Sequence, residues 1–380
     1  MAVDLSLIIA DLENKIAAAD SNTPVLDLLQ MVTAAERLTG GSNVYDSAGL
    51  LPTESEYIGT IAMTADGTIR LYSGESGGWD TLDSSTYTIL VHSFQGSVSG
   101  YSSGGRTPAT SDVIDKFPFS TDANATDVGN LTVARFSGSG QSSSVSGYTS
   151  GGQTPAISDV IDKFPFATDG NATDVGDLLA VRTQASGQSS EFYGYVSGGT
   201  PGFTNVIQKF SFSVDENSTD VGDLVSGEIQ LAGQSSSDNG YTSGGAPAPY
   251  SNVIQKFSFT VDGNATDVGD LTVGRSNVSG QSSDVSGYTS GGYSPSYQAV
   301  NIIDKFPFAS DANATDVGDI TVARYAMVGQ SSTANGYTSG GFAPGSSDVI
   351  DKFPFATDTN AADVGNLTVA RYYISGGHQV

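Results

Sequence analysis

Apolar and polar residues alternate through Val-Ile-Asp-Lys-Phe-Pro-Phe at residues 113–119, and near-copies of this segment return five more times along the chain. A period of two predicts a β-strand, with Val113, Phe117 and Phe119 on one face and Ile114 and Lys116 on the other. Pro118, Pro165, Pro307 and Pro354 have no N–H to give a ladder, so they belong near a strand end or an edge. Ahead of each copy runs a Ser/Gly-rich segment, Gly-Gln-Ser-Ser to Gly-Tyr-Thr-Ser-Gly-Gly, which predicts a pair of small-residue strands turning at Ser-Ser-x-Val. After each copy, Leu-Thr-Val-Ala-Arg predicts one further strand. The Gly-Tyr pair recurs at Gly100, Gly147, Gly194, Gly240, Gly287 and Gly336, at spacings of 47, 47, 46, 47 and 49 residues. Four short strands in such a unit make a propeller blade, so the expected fold is all-β, a six-bladed β-propeller.

The N-terminal part follows a different period. Leu5, Ile9, Leu12 and Ile16 share one face of a predicted helix over residues 4–19. A second helix opens at Thr23-Pro24, carries Leu28, Met31 and Val32, and ends at Gly40-Gly41. Two short helices hold more apolar surface than they can bury against each other, which predicts an attachment or oligomerisation element; the alternative is a hairpin packed on the propeller. Residues 57–83 predict a small β-meander turning at 65–68. The expected domains are therefore 1–41 helical, 42–84 a meander or linker, and 85–380 the propeller. A seventh blade built from residues 57–97 is the rival count. Closure is expected at the termini, with residues 86–101 supplying the strand before the first Gly-Tyr and residues 371–380 stopping where a Gly-Gln-Ser-Ser strand would begin.

The repeat resembles the kelch family in its Gly-Gly doublets (Gly104-Gly105, Gly151-Gly152, Gly198-Gly199). The likeness continues in an aromatic strand soon after and in the arginines Arg135, Arg182, Arg275, Arg324 and Arg371. It covers about residues 90–380, with Val in place of the usual Trp after the third strand and Glu228 in place of one Arg. Near-identical Ser/Gly/Asp repeats behind a helical N-terminus also resemble tail-fibre and virion appendage proteins of marine tailed bacteriophages, in cyanophage-like style. That resemblance implies a virion protein that meets other virion proteins through its N-terminal region.

Charge and composition narrow the chemistry. With 41 acidic and 15 basic residues the net charge is -26, which repels nucleic acid and anionic membrane surfaces. No apolar run is long enough to cross a membrane as a helix. No basic segment of the secretory kind precedes the first apolar residues, so the expected origin is a host cytoplasm, with release by lysis. The chain has no cysteine and two histidines, His92 and His378, at opposite ends of the repeats. Nucleophilic catalysis therefore has little to work with, and no enzyme is expected. Asp122, Asn124 and Asp127 offer oxygen ligands for a calcium ion, but Asp and Asn equally favour turns by bonding their own backbone. No cofactor other than calcium is suggested. The repeated strand lysines, Lys116 among them, read as a paired or solvated ring.

In a four-stranded blade, loops after the second and fourth strands emerge at one end and the others at the opposite end. The loops after Gly-Gly and after Arg differ from repeat to repeat, whereas Thr-Asp-x-Asn-Ala-Thr-Asp and Ser-Ser-x-Val barely change. Variation therefore gathers on one face, where repeats sharing a scaffold diverge if they touch something. That face carries Phe203, Tyr250, Tyr293, Tyr297, Tyr325, Phe342 and Tyr372 among hydroxyl residues, a composition suited to a glycan or a protein surface. The expected function is a tail-fibre-like or capsid-attached virion appendage whose propeller binds the host surface. A virion decoration or cement protein is the alternative, and a glycan-active propeller enzyme a third reading.

Overall fold

The computed structural model describes residues 95–380 throughout and, ahead of them, the backbone of strands Val44–Tyr45, Ile61–Thr64, Ile69–Tyr72 and Trp79–Thr81. The chain divides into two compact units, residues 1–91 and 92–380. In the first, the strands form one sheet in chain order, parallel between the first two and antiparallel thereafter. The predicted helices with Leu5, Ile9, Leu12, Ile16, Leu28, Met31 and Val32 lie outside the described residues, as do the turn at 65–68 and His92.

In the second unit each repeat makes one four-stranded antiparallel blade, and the blades number six rather than seven. Blade 2 shows the plan: Ser139–Ser142 is innermost, followed outward by Ser146–Ser150, Val160–Pro165 and Thr173–Asp177. The third strands of blades 1, 2, 5 and 6 end at their prolines. The outermost strand corrects the sequence reading, which put it at Leu-Thr-Val-Ala-Arg. Thr126–Asn130 and its equivalents form that strand, while Leu131 turns into the core and Val133 is exposed on the turn that follows. Asp127 accepts a hydrogen bond from Gly129 N at 3.1 Å, a local bond that reads as a loop signal although the ladder persists around it.

Closure also differs from expectation. Gly376–Gln379 is itself the innermost strand of blade 1, paired with Ser99–Arg106, and His378 faces Tyr101 as Gln141 faces Tyr148 in blade 2. The tail fits because it keeps the small residues that the axis demands. A Cβ on Gly187 would stand 2.1 Å from Gly140 O, and one on Gly377 2.2 Å from Gly329 O, so the six inner strands touch in a ring too tight for side chains at this level.

The core is six slabs between blades rather than one centre. Between blades 1 and 2, Tyr101, Ile114 and Leu131 pack on Phe164, Phe166 and Ala172. The Gly-Tyr signature follows from this packing. The Phe164 ring lies on Gly147, where a Cβ would come within 2.3 Å of it, and Tyr148 reaches across to stack on Phe212 of blade 3 at 4.8 Å. Each such buried ring contributes roughly 1.5–3 kcal/mol. At the outer seam every repeat lysine pairs with an aspartate of the next blade: five pairs span 2.5–3.0 Å, and Lys352 with Asp122 completes the circle. These pairs are partly exposed and contribute at most about 1 kcal/mol each, so they fix blade register more than they hold the ring together.

Candidate binding face

The strand order puts both variable loops of every blade at one end of the ring, and their bases are anchored by buried charge. Arg135 pairs with Asp162 of the next blade at 2.9 Å, and Arg275–Asp304, Arg324–Asp351 and Arg371–Asp115 repeat the contact at 2.9, 2.9 and 3.1 Å. The same aspartate accepts from the turn after the outermost strand, as Asp162 does from Thr132 N and Oγ1 at 2.9 and 2.7 Å. Two junctions depart from this: Arg182 meets no carboxylate because Gln208 stands in the aspartate slot, and Glu228 replaces the arginine opposite Gln255. Burial raises the Glu228 carboxyl above its ordinary range, with Ser251 and Ser226 opposing the shift.

Above these anchors, the first residues of the two variable loops form a bridge at each junction. The bridged pairs are Arg106 with Tyr372, Phe136 with Gln153, Thr183 with Thr200, Ile229 with Ala246, Ser276 with Tyr293, and Tyr325 with Phe342. One residue further on, Ser137, Gln184, Gln230, Asn277, Ala326 and Tyr373 all have φ between 48° and 61°. Each donates its N–H to the carbonyl of the equivalent residue in the preceding blade at 2.8–2.9 Å, and the six bonds close a circle around the axis. This rim forms the mouth of an axial cavity of about 160 Å³ lined by the inner strands. Six non-glycine residues in the left-handed region store strain of the kind found at binding and switch sites.

The aromatic rings join into a crescent. From Tyr250 it passes to Tyr293, Tyr325, Phe342, Tyr372, Tyr373 and Phe136, with successive centroids 6.3, 5.1, 5.6, 5.1, 5.2 and 6.3 Å apart. Tyr297 branches from Tyr293 at 6.4 Å, and the Arg106 guanidinium caps the far end over Phe136 at 5.3 Å. Most of these rings are half-buried, but Tyr297 is 70 % exposed. Burial raises the hydroxyls of Tyr325 and Tyr373, each reinforced by neighbouring tyrosines, so both stay protonated. Across the ring the junctions carry Thr183–Thr200 and Ile229–Ala246 instead. Phe203 sits on that side, exposed and outside the chain of rings.

The opposite face is uniform. Asp122 is taken by Lys352, Asn124 Oδ1 accepts from Asn366 N at 3.1 Å, and Asp127 bonds its own turn. Among the described residues no group of three or more His, Asp or Glu side chains is placed to share a metal ion. Gln95 Nε2 donates to Ser282 O at 3.0 Å and Gly96 N to Ser331 O at 2.8 Å, so the chain enters the ring at the axial end away from the variable loops. His378 is fully buried, its Nδ1 donating to Gln141 O at 3.1 Å and its Nε2 lying 2.9 Å from Ser103 Oγ. Burial pushes its imidazole down to about 4, leaving a neutral group inside a blade seam.

Six of the seven aromatic residues expected on the variable face therefore belong to one contiguous surface, and Phe203 does not. Sequence reasoning missed Phe136, Tyr373, Arg106 and the rim amides. Aligning the residues just after each Arg and each Gly-Gly would have found them. No protein-family model matches the chain, and no curated protein matches it.

Proposed function

We propose that this chain is a non-enzymatic binding protein of a bacteriophage particle, a tail-fibre-like or capsid-attached appendage whose propeller engages the host cell surface through its variable face. The observation that carries the reading is the crescent. Repeats that agree in core, seam and opposite face differ where their loops emerge, and there seven rings from different repeats form one line. The kelch-like likeness of the blades and the virion setting rest on resemblance of the repeats. The test is binding of the full chain to intact candidate host cells, beside a folded variant with Tyr293, Tyr297 and Phe342 changed to Ala. Saturable binding lost in the variant is expected, and equal binding by both overturns the reading.

A second reading, a decoration protein between virion subunits, draws on a different feature. Val133, Val273, Val322 and Val369 are exposed at one position of four repeats, and Leu179 and Val225 are exposed one residue earlier in the other two, a circle of apolar contacts suited to a repeating partner. If neither protein binds cells, this becomes the better account.

A further inference from the structure

Resting on the adhesion reading, we infer that the crescent and the axial rim beside it form a binding site for an uncharged polysaccharide chain. The charge distribution is the first observation. The variable loops, residues 106–110, 136–138, 153–157, 183–185, 200–204, 229–231, 246–250, 276–278, 293–300, 325–327, 342–347 and 372–374, contain no Asp or Glu, although the chain has 41. Arg106 is their single charged residue, and it lies over Phe136. On a body of net charge -26, a strip with one arginine at its end and no carboxylate has too little positive charge to hold an acidic polymer and nothing to attract a basic one.

Shape is the second observation. Most of the rings are half-buried and support one another at 5.1–6.3 Å with planes inclined 43–70°, so they form a fixed, faceted surface of ring faces and edges rather than side chains that plug into pockets, as protein hot spots do. Ring faces held rigidly in this way stack on the C–H faces of sugar rings, and the line extends over four blade junctions, much longer than one monosaccharide. The third observation is unspent hydrogen-bonding capacity at the rim. Asn277 Nδ2 donates to Gln230 Oε1 at 2.8 Å, which leaves Asn277 Oδ1 and Gln230 Nε2, with the Gln184 amide, at the cavity mouth. Uncharged donors and acceptors side by side match hydroxyl groups.

The experiment is native gel electrophoresis of the full chain through gels containing dextran, galactomannan, xyloglucan or mixed-linkage glucan, with alginate and polygalacturonate as acidic counterparts. Retardation by at least one neutral polymer is expected, unchanged across a roughly tenfold range of salt. Tyr325→Ala and Tyr372→Ala should each weaken retention roughly tenfold, while Tyr325→Phe and Phe203→Ala retain it and melting curves confirm folding. Retention by no neutral polymer, retention by acidic polymers alone that fades with salt, or loss on Phe203→Ala as large as on Tyr325→Ala overturns the inference. Cell binding separates the two readings. Binding abolished by periodate oxidation of surface sugars supports the inference, and binding that survives periodate but not protease keeps adhesion while overturning the glycan. Retention on a neutral polymer without cell binding supports the glycan site and removes host adhesion.

Discussion

His378 stands where five other repeats have glutamine, and this one exchange gives ring closure a pH dependence. The glutamines donate Nε2 to a tyrosine carbonyl of the next blade, as Gln141 does to Tyr195 O at 3.0 Å. The imidazole instead bonds Gln141 O and packs edge-on against Phe164 at 5.0 Å. Its folded value of about 4 lies below the ordinary 6.5. Above about pH 6.5 it is neutral in both states and contributes no pH dependence. As pH falls from there toward 4, the unfolded chain takes up a proton that the folded ring refuses, so stability is lost across that window and the loss levels off below it. The full loss is on the order of 3 kcal/mol. His378→Gln should remove this component and restore the repeat's own hydrogen bond to Tyr148 O. Thermal midpoints of both proteins, followed from neutral pH down to about pH 4, should diverge with the native chain falling faster; parallel curves would refute the assignment.

At the scale of strands and their junctions, the anchors under the variable loops make a sharper claim. Glu228 and Gln255 occupy the slots that hold Arg275 and Asp304 one junction further on. Gln255→Asp alone sets two carboxylates together in a buried site and should cost about 3 kcal/mol or more, and Glu228→Arg alone buries a second guanidinium without a carboxylate, as at Arg182. Together they rebuild the pair, so the double variant should be much more stable than either single change predicts; additive denaturation energies would count against the pairing. Legibility from sequence divides along the same lines. The second and third strands were readable because alternation and the Gly-Tyr motif answer to contacts inside one repeat and its neighbour. The outermost strand was not, since the bond from Gly129 N to Asp127 imitates a turn. Nor was the closing strand, since His378 hides the glutamine motif. The variable face needed only strand order, but the continuity of its rings depends on distances between loops of different blades, such as the 5.1 Å from Phe342 to Tyr372, which no single repeat encodes.

For the whole molecule, both circular hydrogen-bond systems run through the same short stretch of chain. The rim passes through Tyr373, which bonds Ala326 O and serves Ser137 N. At the other axial end, Ser142, Ser189, Ser235 and Ser282 each give a backbone N–H to the side-chain hydroxyl one blade on. Gln379 closes that second circle, accepting from Ser331 N at 3.3 Å and donating its N–H to Ser142 Oγ at 3.1 Å. A propeller lacking one inner strand retains six slabs of core, yet it exposes an unpaired edge at Ser99–Arg106 and breaks the lower circle. Removing residues 376–380 should therefore convert a single cooperative unfolding transition into a broad one at lower temperature, with association through the open edge visible as concentration-dependent growth in light scattering. A synthetic peptide of residues 374–380 added in trans should reverse both changes by refilling the edge. If the shortened chain instead melts as sharply and within a few degrees of the full one, the slabs alone hold the ring and the closing strand is dispensable.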